Sequence, residues 1–147
     1  MEQHSDFNAR LQRAFQLHQA GEFNGAVSAY RELLPHFVRS AQFLYLLGSA
    51  ECQRGHMAEG AQLLEKSLEI APLSSEAHIW LGIALQALKR FDDALSRYDR
   101  AIQLGPERAE AHYNRGHLLA QLGRLEEALA SYDRALRLTP DDPDVHT

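Results

Sequence analysis

The 147-residue chain is 45% hydrophobic and 24% charged, the balance of a globular protein long enough to bury one core. A formal charge of -5 and a pI near 5.9 give no electrostatic drive toward nucleic acid or an anionic membrane, and favour basic partners or peptides. Cys52 is the sole cysteine, which excludes an intrachain disulfide and a cysteine-based zinc site and fits a reducing compartment.

The N-terminal stretch MEQHSDFNARLQRAF lacks a basic region followed by an apolar run, and no segment approaches the roughly 18 apolar residues of a membrane helix. A soluble, cytoplasmic protein is therefore expected. Two helices are predicted within 7–40, where Ala14, Ala26 and Tyr30 supply apolar positions and Gly21 ends the first helix. Pro35 predicts that the second helix ends near Leu34 and that the link to Ser40 is irregular. Over 41–74 the same layout returns with Leu47, Gly48, Gly55, Leu64 and Pro72.

The clearest copy is 75–108. Its first helix carries Ala77, Leu81, Ala84, Leu85 and Leu88 at helical spacing, and its second carries Phe91, Ala94, Leu95, Tyr98, Ala101 and Ile102. Lys89 stands where Gly21, Gly55 and Gly123 stand in the other copies, and a left-handed conformation there costs about 1 kcal/mol. The segment 109–142 repeats 75–108 at Ala77/Ala111, His78/His112, Gly82/Gly116, Leu85/Leu119, Ala94/Ala128, Tyr98/Tyr132 and Pro106/Pro140. Pro72, Pro106 and Pro140 are each 34 residues apart, as are Gly48, Gly82 and Gly116, and such a period marks stacked repeats. The small residues are read as packing devices: Gly82 and Gly116 admit the partner helix, and Ala94, Ala101, Ala128 and Ala135 leave room for Tyr98 and Tyr132. Residues 143–147 read as the start of a further repeat or cap, and the Pro-Asp turn before them points to continuation past Thr147.

The pattern His78-x2-Leu81-Gly82-x2-Leu85, followed by Ala94-x3-Tyr98, Ala101 and Pro106, resembles the tetratricopeptide repeat over 7–142. His78 and His112, with Leu44 and Leu11, occupy the place where that family usually has Trp. The resemblance implies an all-α, right-handed α-solenoid of four tandem helix-turn-helix repeats (7–40, 41–74, 75–108 and 109–142), with first helices lining a concave groove. It also implies a non-catalytic module that binds other proteins. The family's carboxylate clamp and asparagine ladder are not matched, since their places hold residues such as Leu46, Trp80 and Glu76, with only Asn114 fitting a ladder.

No catalytic residue, metal ligand or cofactor site is expected. His112 and His117 are five residues apart, about 140° out of phase on a helix, and ligand pairs need i,i+3 or i,i+4 spacing. His78 and His112 are read as buried replacements for an aromatic ring. Asp92/Asp93 and Glu126/Glu127 fall at second-helix starts, where acids complement the dipole, and Asp99/Arg100 and Asp133/Arg134 read as a solvated face. No phosphate loop or nucleophile elbow is present.

The predicted binding groove takes Leu11, Gln12, Phe15 and His18 from the first copy, and Tyr45, Leu46, Ser49 and Cys52 from the second. The third copy supplies Ile79, Trp80, Ile83 and Gln86, and the fourth Tyr113, Asn114, His117 and Ala120. Such an apolar and aromatic set marks an interface, unless superhelical curvature buries part of it between neighbouring first helices. The expected partner is a protein or peptide presenting an apolar or amphipathic helical segment, with no nucleic acid and no membrane. Two other readings stand beside it: the N-terminal targeting region of a larger bacterial enzyme such as a glycosyltransferase or methyltransferase, and a homo-oligomer formed through the uncapped last helix, on which Leu129, Leu136 and Leu138 lie.

Overall fold

The computed structural model describes residues 2–139, with side chains from residue 6 onward. Pro140 and the segment 143–147 lie outside the described residues, so the stop assigned to that proline and the start of a fifth repeat are not addressed. Among the described residues eight helices follow one another: α1 Glu2–Gln19, α2 Phe23–Phe37, α3 Ala41–Gln53, α4 Met57–Ile70, α5 Ser75–Ala87, α6 Phe91–Leu104, α7 Ala109–Gln121 and α8 Leu125–Leu138. No strand occurs among the described residues. The chain divides into two compact units, Met1–Pro72 and Leu73–Thr147, each made of two helix hairpins. Contacts are richest within the hairpins α1/α2, α3/α4, α5/α6 and α7/α8, and α2 against α3 and α6 against α7 join the hairpins of each unit. Each unit is thus a short α-solenoid element.

The boundaries have local causes. Ser40 and Ser74 precede α3 and α5 with extended backbone, and their hydroxyls accept from the amides of Phe43 and Ala77 at 3.1 Å, satisfying one orphan donor apiece. The turn inside each hairpin uses a left-handed residue: Gly21, Gly55 and Gly123 have φ of 80°, 90° and 78°, and Lys89 adopts the same basin at 64°. Hairpins close tightly because one helix carries glycine opposite a large side chain of the other. A Cβ on Gly82 would lie 2.5 Å from Tyr98 Cε1, and one on Gly116 would lie 3.0 Å from the Tyr132 ring. Ala94, Ala101, Ala128 and Ala135 are all buried.

Two expectations need correction. Helix α2 does not end near Leu34; it runs to Phe37 with Pro35 inside it. The last turn is held by its own side chains, since Phe37 stacks on Phe43 with centroids 4.9 Å apart and His36 lies 4.4 Å from the Phe7 ring. So close to the C-terminus, the amide that Pro35 lacks removes a single helical bond, and these contacts offset it. Nor is Asp99 part of a purely solvated face: it is half-buried and receives Arg115 Nε at 2.7 Å.

In the first unit Ala14, Val27, Tyr30, Leu33, Phe43, Leu44 and Leu47 form one apolar cluster, with Tyr30 edge-on to Phe43 at 5.7 Å. Full burial of each large apolar side chain stabilises by roughly 1.5–3 kcal/mol. The second unit gathers Ile79, Ala101 and Ala111, with Ile83 and Ile102 against them. His78 and His112 are buried as expected, and His112 Nε2 donates to the Pro106 carbonyl at 2.9 Å.

Candidate partner-binding faces

In the first unit the predicted face belongs to α1 and α3. Phe15 is 38% exposed, and Leu11, Tyr45 and Leu46 are half-buried, with Leu11 and Leu46 resting on the core cluster. Ser49 and Cys52 are not surface groups. Both are buried, because Ser49 turns its hydroxyl back to the Leu46 carbonyl at 3.0 Å and Cys52 points its Sγ at Gly60 on α4. Burial, and then the neighbouring Glu51 charge, push the Cys52 thiol up to about 12, so it holds its proton at neutral pH.

In the second unit the face belongs to α5 and α7. Ile79 is buried with Ala101 and Ala111 and presents nothing to a partner, whereas Trp80 and Ile83 are half-buried and Tyr113 is 40% exposed. Asn114 is half-buried and His117 exposed. Ile83, Asn114 and His117 line a hollow of about 420 Å³ together with Gln86, Lys89, Tyr98 and Gln121. Its floor is a fixed polar relay. Tyr98 donates its hydroxyl to Gln86 Oε1 at 2.8 Å, and Gln86 Nε2 donates to Gln121 Oε1 at 2.8 Å and to His117 Nδ1 at 3.0 Å. Asn114 Nδ2 donates to its own helix at the Glu110 carbonyl, 2.9 Å away.

His18 and Gln86, placed in the groove by their spacing, are half-buried and also serve their own hairpins. Each stands twelve residues before a buried tyrosine and bonds its hydroxyl: Tyr30 OH and His18 Nδ1 are 3.2 Å apart, and His18 Nε2 donates to Gln53 Oε1 at 2.5 Å. In the second copy the corresponding pair is apolar, Cys52 and Leu64, and no hydroxyl has to be satisfied.

Sequence reasoning missed Glu51. Its carboxylate is buried in α3 and receives Arg31 Nη2 from α2 and Arg54 Nε at 2.5 Å, with His56 Nδ1 3.7 Å away. Burial raises its pKa, and hydrogen bonds from Arg31 and Arg54 more than offset that, leaving it below the usual 4.5. The signal was present: Leu17, Leu85 and Leu119 hold the equivalent place in the other copies. Arg115 was missed likewise. It bridges three helices, with Nε on Asp99 of α6 and Nη1 on Ser131 of α8 at 2.8 Å.

Among the described residues no three His, Cys, Asp or Glu side chains gather as a metal site, and no helix is long and apolar enough to cross a membrane. These faces present rings, branched aliphatic groups and carboxamides, with His117 and Lys89 beside them.

The sequence model of the tetratricopeptide repeat matches residues 17–75 and 76–143. No curated protein matches the sequence. Among solved structures, MamA 41-end from Desulfovibrio magneticus RS-1 superposes with a TM-score of 0.84 at 18% identity, covering 93% of this chain and 77% of that one. TTC0263, a thermophilic TPR protein of Thermus thermophilus, gives 0.83 at 24% identity over 95% of this chain and 77% of its own. A further MamA crystal structure gives 0.80 at 24% identity, with coverage of 90% and 78%. These likenesses show the fold.

Proposed function

This chain belongs to the tetratricopeptide-repeat family, whose fold supports a protein-interaction scaffold, and we propose that it holds an apolar or amphipathic helical segment of a partner protein on the first-helix faces of its units. The observation that carries the reading is the second unit's face, where Ile83, Asn114 and His117 line the 420 Å³ hollow and the same two helices, α5 and α7, carry the half-buried Trp80 and the 40% exposed Tyr113. Accessible aromatic side chains supply large contact area at low entropic cost and are the commonest binding hot spots. In this reading the apolar groups anchor the partner and the carboxamides of Asn114 and Gln121 orient it, while the prearranged Gln86 relay needs no reordering on binding.

The test is a pull-down with the full chain, followed by titration of whatever partner is captured. Trp80→Ala is expected to weaken that partner by about 2 kcal/mol or more, and Tyr113→Ala to weaken it further. Arg100→Ala, an exposed change on α6, serves as the control and should leave affinity unchanged. Wild-type affinity in both face variants, with thermal melts confirming that they are folded, removes these faces from consideration.

A further inference from the structure

We propose that Lys89 makes the α5/α7 hollow selective for an acidic side chain, an aspartate or glutamate that the partner helix carries beside its apolar stripe. The inference rests on the reading of this face as a partner-binding one and adds the chemistry of its occupant. Among the described residues four hairpin turns use the left-handed basin: Gly21, Gly55 and Gly123 fill three of them, and Lys89 holds the fourth at φ 64°. A side chain is strained there. Lys89 is exposed, and among the described residues no hydrogen bond or ion pair of its ammonium offsets that strain. Attraction of a cation to a helix C-terminus is available at every one of these turns, and three of the four do without it. A non-glycine residue kept in such a basin points to a use outside the fold.

The surroundings of the side chain identify that use. Lys89 lines the hollow together with Gln86, Asn114, His117 and Gln121, and no acidic residue lines it. The acids next along the chain are engaged elsewhere: Asp93 receives Arg90 at 2.9 Å, and Asp92 faces a different hollow beside Ser96 and Arg100. At the start of α8, Glu127 likewise receives Arg124 at 2.7 Å. The polar relay adds direction. Gln121 Oε1 is taken by Gln86 Nε2 at 2.8 Å, which leaves the Gln121 amide nitrogen, with its two protons, as the free end of the relay. Asn114 Nδ2 gives one proton to the Glu110 carbonyl and keeps the other. An ammonium and carboxamide donors around a space without acids match a carboxylate. A basic side chain would meet like charge, and an apolar one would strip water from the donors without replacing it. The net charge of -5 favours basic partners at long range, so this hollow selects against the trend of the whole surface.

The test is a displayed library of amphipathic helical peptides, with leucine fixed at i, i+3, i+4 and i+7 and the flanking positions randomised, selected on the immobilised full chain at low salt. Acidic residues are expected to be enriched at one flanking position. In titrations of a selected peptide, Lys89→Gly should weaken binding about 5-fold, and exchanging the peptide's acid for its amide should do the same. The two losses should not add, the signature of direct contact. Lys89→Glu should invert the selected charge at that position, and Lys66→Ala, which removes an exposed cation on α4, should change nothing. Lys89→Gly should melt no lower than wild type, which separates a lost contact from a lost fold. Peptides that need Trp80 and Tyr113 but show no acidic preference overturn this proposal and leave the face standing. Peptides indifferent to Trp80→Ala and Tyr113→Ala, or a library from which nothing is retained, overturn both readings. Additive losses overturn the proposal as well, as does a Lys89→Gly variant that melts below wild type, because the lysine would then serve the fold.

Discussion

Lys89 sits in a backbone basin that its three counterparts fill with glycine, and it does so at φ 64°. A side chain there crowds the following carbonyl, so Lys89→Gly is expected to raise stability by about 1 kcal/mol in chemical denaturation. A loss of stability instead would show that the lysine side chain contributes a contact worth more than the strain. Gly82 is the opposite case. Its Cβ position lies 2.5 Å from Tyr98 Cε1 and 2.7 Å from Cδ1, so Gly82→Val has to displace a ring already buried on all sides. A cost of about 1–3 kcal/mol is expected, read as a lowered Tm, and an unchanged melt would refute the packing role. Both positions were legible in the sequence because the 34-residue period lines each up with its counterparts. The burial of Ser49, Cys52 and Ile79 was not legible. A helical repeat ranks residues around one helix, while the neighbour that covers a given stripe belongs to another part of the chain.

Between elements, the Glu51 cluster ties α2 to α3 with charges where sister hairpins use leucine. Its depressed pKa has a definite sign. A carboxyl whose pKa is lower folded than unfolded contributes stability that is fully present above its ordinary value of 4.5 and is lost as pH falls through the folded value. Wild-type Tm should therefore drop on acidification below 4.5, and Glu51→Leu should flatten that drop while lowering Tm at pH 7. Removing one partner of a buried ion pair leaves the other without its counter-charge, and of the two cations Arg54 is only 23% exposed. Parallel pH–Tm curves for the two proteins would remove Glu51 from the acid response. Pro35 teaches the complementary lesson about elements. Local propensity placed a helix end at Leu34, and ring contacts from α1 and α3 to His36 and Phe37 carried the helix through.

For the molecule as a whole, the helix hairpins could be read from the sequence because apolar spacing and the left-handed turn position recur at the 34-residue period, with Lys89 and Pro35 as the departures. The candidate faces were legible only in part. Phe15, Tyr45, Leu46, Trp80, Ile83, Tyr113, Asn114 and His117 keep accessible surface, as do His18 and Gln86, which also satisfy buried tyrosine hydroxyls, a demand that spacing alone does not reveal. The glycine-to-ring locks also bear on how the chain reaches this state. Gly82 and Tyr98 are sixteen residues apart in the chain, as are Gly116 and Tyr132, so each lock closes a short loop with a small entropic penalty. Low contact order of this kind favours rapid folding that nucleates in any hairpin and spreads to its neighbours, leaving a nascent or stretched molecule able to recover one hairpin at a time.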